Sequence, residues 1–159
     1  MLVTLVRHGD ARSSDSDLGD AGRCLSTTGR DEARATGRAL AERGVTPTRV
    51  WSSPLVRAVQ TAELIVGELE YNGVIEARDD VYPDSRPRDL FGALARLDAD
   101  ADVLVVGHMP YMAAAASELL GISVGGFATG AAFRIAVTSA PGSSKSATLV
   151  WRWVGRFID

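Results

Sequence analysis

Leu2-Val3-Thr4-Leu5-Val6, followed at once by Arg7-His8-Gly9, is the stretch on which the fold turns. It has a counterpart in Val103-Leu104-Val105-Val106, followed by Gly107-His108-Met109-Pro110. Each is an apolar run of the length and composition of a strand buried on both faces. The two histidines of the chain stand just beyond these runs. In an open α/β sheet, chemistry collects past the carboxyl ends of such strands. Two imidazoles at that level, one beside an arginine and a glycine, point to a site rather than to packing.

Between the runs, helical and extended patterns alternate. Ser26-Thr27-Thr28 offers N-cap oxygens to a helix reaching about Arg43, with Ala33, Gly37, Leu40 and Ala41 as its buried stripe and Gly44 as its stop. Arg49–Ser52 reads as a second strand. Ser53 then reads as an N-cap with Pro54 at the first helical position, ahead of Leu55, Val59, Ala62, Val66 and Leu69 at helical spacing. A short strand over residues 74–81 leads into a helix carrying Leu90, Phe91, Leu94 and Leu97 on one face. Pro110 opens a last helix with the stripe Met112, Ala115, Ala116, Leu119 and Leu120. Residues 132–138 and 148–157 have the pattern of a β-hairpin. The alternation predicts an α/β three-layer sandwich: a mostly parallel central sheet, helices on both faces and an antiparallel C-terminal hairpin. There is no internal repeat. Segments 10–25 and 140–146 are loop-like but too short for interdomain linkers, so residues 1–159 are expected to form a single domain.

Composition bounds the chemistry. The content of 46% hydrophobic and 23% charged residues is that of a soluble globular protein. A net charge of −3, from 17 basic and 20 acidic residues, argues against nucleic acid as a partner and requires any anion site to be a local cluster of cations. Cys24 is the sole cysteine, which excludes an internal disulfide and fits a reducing cytoplasm. Its setting, Ala21-Gly22-Arg23-Cys24-Leu25, is a polar loop without a histidine nearby in sequence, and no chemical role is expected of it. No basic leader precedes the first apolar run, and no segment has the length to span a bilayer. A cytoplasmic protein without a membrane partner is expected.

Three strand ends carry reactive or charged groups: Arg7-His8-Gly9, Ser52-Ser53-Pro54 leading to Arg57, and Gly107-His108. Arg57, in the first turn of its helix, is placed by the 3.6-residue period about 160–200° from Leu55 and Val59, off the buried stripe. A helix N-terminus favours anions, and a guanidinium there adds a bidentate fork that suits a phosphoryl group. Arg7 supplies a second fork, and Gly9 lets the backbone approach closely. A neutral imidazole is a competent nucleophile, which suits His8; His108, protonated beside a bound phosphate, would be a charge donor. Taken singly, a strand-end histidine is an ordinary hydrogen-bonding residue and a first-turn arginine is ordinarily solvated. Those readings do not explain the joint placement. No cysteine cluster or His-x-x-x-His pair exists, so no metal ligand set is expected.

With these residues in order, the sequence resembles the histidine phosphatase superfamily, whose signature is Arg-His-Gly after the first strand. Arg7-His8-Gly9 is followed by Leu25-Ser26-Thr27-Thr28-Gly29, then by Ser52-Ser53-Pro54-x-x-Arg57-x-x-Gln60-Thr61, then by Gly107-His108. The short length and the Arg7 to Ala11 start look most like the small bacterial phosphohistidine phosphatases of the SixA type. The resemblance implies that His8 takes the phosphoryl group and water then hydrolyses the phosphohistidine. It implies that Arg7, Arg57 and His108 hold the phosphoryl oxygens, with no metal or organic cofactor. The implied partner is a protein bearing phosphohistidine; small phosphate esters or sugar phosphates are the alternative substrates, and a phosphate-recognition module without turnover is the alternative outside catalysis.

The sequence departs from the family pattern in its proton donor. One branch places an Asp directly after the second histidine, where this chain has Met109. Other branches place a Glu after the third strand, where this chain offers Asp79, Asp80 and Asp84 around Tyr82-Pro83, with Asp84 the candidate acid. A weak or absent acid suits a phosphoramidate, because an imidazole leaves more readily than an alkoxide. No segment is long enough to form the capping insertion that closes over small substrates in other relatives, so an open, shallow site is expected.

Overall fold

A computed structural model describes residues 1–13, 19–138 and 147–159. Among these, seven strands form one sheet: β1 (Leu2–Arg7), β2 (Arg49–Ser52), β3 (Ile75–Ala77), β4 (Asp102–Gly107), β5 (Ala132–Val137), β6 (Ala147–Trp153) and β7 (Phe157–Ile158), in the order β3-β2-β4-β1-β5-β6-β7. The first four strands of that order run parallel, whereas β5, β6 and β7 add on antiparallel to their neighbours. Helices α1 (Thr27–Glu42), α2 (Val56–Glu68), α3 (Pro87–Leu94) and α4 (Tyr111–Leu120) connect them. This is the α/β sandwich expected, with its antiparallel tail.

Alternation along the central strands divides the core into two layers. Val3, Leu5, Val103 and Val105 face α3 and α4, meeting Leu90, Phe91, Leu94, Met112 and Ala115. Val6, Leu104 and Val106 face the other way, against Leu40 of α1 and Ala58, Ala62 and Ile65 of α2. Burial on both faces is why β1 and β4 read as continuous apolar runs. Register fixes the site: Arg7 pairs with Gly107 and Ser52 with Val106, so three strands end at one level. The His8 amide donates to the Gly107 carbonyl at 2.9 Å and the Ser53 amide to the Val106 carbonyl at 2.9 Å, carrying that alignment into the loops.

Several local expectations are corrected. Ser53 is not the N-cap of α2: Leu55 occupies that position, the Ser53 hydroxyl accepts from the Leu55 amide at 3.3 Å, and Pro54 lies outside the helix. The buried face of α2 is Arg57, Ala58, Thr61, Ala62 and Ile65; of the expected stripe, Leu55 and Ala62 are buried, whereas Val59, Val66 and Leu69 are half-buried. The small side chains of Ala58 and Ala62 let the helix seat against Val50, Leu104 and Val106, and that contact outranks hydrophobic content in choosing the face. On α1, Ala41 is exposed and Ala39 and Thr36 are buried instead. The strand expected over 74–81 ends at Ala77, and a 3-10 turn over Asp79–Val81 follows. The last expected strand is divided: β6 stops at Trp153, Gly155 takes a positive φ of 81°, and β7 returns along β6. The loop expected over 140–146 lies outside the described residues, as do residues 14–18 of the loop expected over 10–25.

One buried ion pair crosses the sheet. Arg134 of β5 donates to both carboxylate oxygens of Asp102 on β4 at 2.6 Å each, and to the Thr4 hydroxyl of β1 at 2.7 Å. No helix among the described residues is long and apolar enough to cross a membrane.

Candidate active site

The strand ends of β1, β2 and β4 open into a cleft of about 330 Å³ lined by Arg7, His8, Arg57 and His108, together with Asp10, Asp20, Arg23 and Thr129. All four residues singled out in the sequence therefore meet at one place. His8 and His108 lie with ring centroids 4.9 Å apart and planes tilted by 60°. They are 9% and 2% exposed, so the imidazoles sit deeper than the shallow site expected.

The loop after β1 fixes His8. Its Nδ1 lies 2.6 Å from the Gly9 carbonyl oxygen; a carbonyl only accepts, so Nδ1 carries the hydrogen and Nε2 keeps the lone pair. Burial, followed by the repulsion of Arg57, Arg7 and Arg23, outweighs that hydrogen bond and pushes the His8 pKa down to about 4. The ring is neutral at physiological pH, as a nucleophile requires. The Gly9 amide donates to the Thr61 hydroxyl at 3.1 Å, and that hydroxyl donates to the Arg57 carbonyl at 2.7 Å, tying the loop to α2. Gly9 is needed for a reason other than approach to a ligand. A Cβ there would stand 2.3 Å from the carbonyl oxygen of Gly29, and a Cβ on Gly29 would stand 1.9 Å from that of Asp10. The two glycines let the loop and the start of α1 touch backbone to backbone.

Arg57 is off the stripe of Leu55 and Val59, as expected, and it is buried, because that face of the helix turns into the cleft rather than to water. Its Nη1 donates to the Asp20 carbonyl at 2.8 Å and its Nη2 to the Asp20 carboxylate at 3.0 Å. Arg7 donates from Nη1 to the Phe127 carbonyl at 2.7 Å, while its buried Nε has no hydrogen-bond partner among the described residues. Both ring nitrogens of His108 are buried without a hydrogen-bond partner among the described residues. Burial, then the proximity of His8 and Arg57, pushes the His108 pKa down to about 3, so without an anion beside it this ring is neutral. A dianion brought against it would favour the protonated form.

The acid candidates fall away from the cleft. Asp84 is exposed and is not among the lining residues, although its neighbour Pro83 is. Asp80 is paired with Arg78, at 2.9 Å to Nε and 2.5 Å to Nη2. The carboxylates that do line the cleft are Asp10 and Asp20, both from the segment read as a loop. Asp10 accepts from the Ser26 hydroxyl at 2.6 Å, and its amide donates to Glu32 at 2.8 Å. Glu32 also accepts from Thr129 at 2.9 Å, so α1 braces two walls of the cleft. Asp10, Asp20, Arg23 and Thr129 were missed because loops have no periodicity. The available signals were the place of Asp10 within the Arg7 to Ala11 start and that of Arg23 two residues ahead of the Leu25 to Gly29 motif. Among the described residues, no group of three or more His, Cys, Asp or Glu side chains is arranged to hold a metal ion.

The family model described as the histidine phosphatase superfamily (branch 1) matches residues 3–81. The phosphohistidine phosphatase SixA of Escherichia coli (strain K12) is 32% identical over 121 residues, covering 75% of this chain and 74% of the relative. The mitochondrial serine/threonine-protein phosphatase Pgam5 of Drosophila persimilis is 37% identical over 71 residues, which is 43% of this chain but only 23% of the relative, so the match spans about a quarter of that longer protein. Among solved structures, the protein histidine phosphatase SixA complexed with tungstate superposes with a TM-score of 0.84 at 30% identity, covering 96% of each chain.

Proposed function

The chain belongs to the histidine phosphatase superfamily, and from that premise we propose that it is a phosphatase working through a phosphohistidine on His8, with phosphohistidine on a protein partner as substrate. The observation that carries this reading is the tautomer of His8: Nδ1 is committed to the Gly9 carbonyl, leaving the Nε2 lone pair free in a cleft shared with two guanidinium groups and a second imidazole.

Nε2 attacks phosphorus as the bond from phosphorus to the substrate imidazole breaks. The departing imidazole keeps the proton that makes it a neutral leaving group. Water then attacks the phosphoryl group on His8, releasing inorganic phosphate and restoring Nε2. In both steps Arg7, Arg57 and His108 hold the non-bridging oxygens, where charge stabilisation is the main demand of phosphoryl transfer. Those cations stand where other phosphotransferases use a metal ion, so the reading includes no metal and no organic cofactor. A binder without turnover would have no use for a nucleophile so prepared.

Two observations favour phosphohistidine over an ester. The relative that aligns along three quarters of the chain is described as a phosphohistidine phosphatase. The candidate acid Asp84 is away from the cleft, the two carboxylates that line it are held by Ser26 (Asp10) and by Arg23 and Arg57 (Asp20), and an imidazole needs less proton assistance than an alkoxide. The match to a serine/threonine-protein phosphatase favours ester hydrolysis as the second reading. Rapid quench with labelled substrate should trap an acid-labile, base-stable phosphoenzyme that His8→Ala abolishes. The kcat/KM for a phosphohistidine protein should exceed that for aliphatic phosphomonoesters by at least about tenfold, a ratio worth roughly 1.4 kcal/mol. Full activity in His8→Ala removes the mechanism; better turnover of an ester than of every phosphohistidine protein replaces the substrate.

A further inference from the structure

Arg23 has no part in the four-residue set drawn from the sequence, yet it lines the cleft and its charge reaches His8. Its Nε donates to the Arg12 carbonyl at 2.7 Å and its Nη2 to the Ala11 carbonyl at 3.4 Å, which aims the remaining Nη1. That nitrogen meets Oδ1 of Asp20 at 3.2 Å, while Oδ2 of the same carboxylate receives Arg57 Nη2 at 3.0 Å. One carboxylate thus bridges two guanidinium groups in the cleft, an oxygen to each. The exposures are unequal: the Arg57 side chain is 6% exposed and that of Asp20 is 62% exposed. A buried cation needs an anion, whereas an exposed carboxylate leaves for water at little cost. Asp20 is therefore the replaceable member of the trio. A phosphoryl group presents two oxygens with nearly the spacing of a carboxylate's, and it brings more charge.

We propose that Arg23 is a third substrate-contacting guanidinium and that Asp20 is an internal competitor, which the incoming phosphoryl group displaces from Arg57 Nη2 and Arg23 Nη1. The inference rests on the phosphatase reading and adds to it a specificity device. A dianion that replaces the single charge of Asp20 gains attraction to both arginines, whereas a monoanion only exchanges like for like. The site thereby selects dianionic tetrahedral oxyanions over monoanions.

Calorimetric titration of the protein of residues 1–159 with tungstate and with inorganic phosphate tests this at fixed pH. Asp20→Asn should bind both more tightly, by about threefold, and Arg23→Ala more weakly, by about fivefold, the scale of a partly exposed charge-assisted contact. Arg23→Lys, which keeps the charge but not the fork, should fall between Arg23→Ala and the wild type, and serves where Arg23→Ala loosens the loop. Weaker or unchanged binding in Asp20→Asn would make Asp20 an orienting residue and overturn the competitor role. Affinity in Arg23→Ala and Arg23→Lys equal to that of the wild type would remove the third contact. A wild-type protein that forms the His8 phosphoenzyme while both variants titrate unchanged loses this inference alone. A wild type that binds the oxyanions with the expected variant shifts but forms no phosphoenzyme keeps the inference and loses the covalent mechanism.

Discussion

Two clusters of buried polar groups sit along the same central strands, and they are finished differently. Toward the start of β4, Arg134, Asp102 and Thr4 close on one another: the fork meets both carboxylate oxygens, and the hydroxyl takes a further bond. At the carboxyl ends of β1 and β4, Arg7 Nε and both nitrogens of His108 are buried with no hydrogen-bond partner among the described residues. An unsatisfied buried polar group costs roughly 1–3 kcal/mol, so the second cluster is one that folding alone does not favour. The contrast separates a polar network that serves the fold from one whose hydrogen bonds are completed by something else. It also gives each cluster a different response to mutation.

The largest expected effect is at the closed cluster. Asp102→Asn leaves the Arg134 charge buried without its counter-ion and should lower unfolding stability by about 3–5 kcal/mol, the usual cost of breaking a buried pair from one side. Denaturant unfolding measures it, and the specific activity of the folded fraction should equal that of the wild type. A loss below about 1 kcal/mol would place the pair among exposed salt bridges and dissolve the contrast.

The open cluster should respond in the opposite sense. Arg7→Ala, Arg57→Ala and His108→Ala should each slow turnover by roughly 10²–10³, the scale for removing one transition-state donor. For His108→Ala the unfolding midpoint should hold or rise, since the change removes two unsatisfied nitrogens. A His108→Ala protein that unfolds early while keeping wild-type activity would make that histidine structural.

The smallest effect is one of pH. The ordinary histidine value is 6.5, against about 4 for His8 and about 3 for His108 in the folded protein. Below pH 6.5 the unfolded chain takes up protons that the folded one refuses. The contribution of these rings to stability is therefore full above pH 6.5 and is lost as pH falls toward 4 and 3. Thermal midpoints should fall between pH 7 and pH 5 in the wild type, and by less in His108→Gln. Parallel profiles for the two proteins would contradict the buried neutral state of His108.

The sequence made some of this legible and hid the rest for identifiable reasons. The strands β1 and β4 were readable because burial on both faces leaves only apolar residues, and Arg7, His8 and His108 were readable because chain position alone puts them at strand ends. The face of α2 was misjudged in part because Val59 and Val66 look more core-like than Ala58 and Thr61, while the sheet selected the smaller side chains that allow close approach. Glu32 carries no mark in the chain of its two hydrogen bonds to Asp10 and Thr129, which are 22 and 97 residues away.

By itself, the sequence determined the α/β class, the central strands and four of the residues that reach the cleft, Arg7, His8, Arg57 and His108, because periodicity and strand ends are local properties of a chain. Only the tertiary structure decided which nitrogen of His8 is free, that Arg57 is buried against Asp20, that Arg23 joins it there and that Arg134 is neutralised by Asp102. Each of those depends on desolvation and on a partner brought near by folding. Partners such as Asp102 and Arg134, 32 positions apart, leave no periodic trace in a sequence.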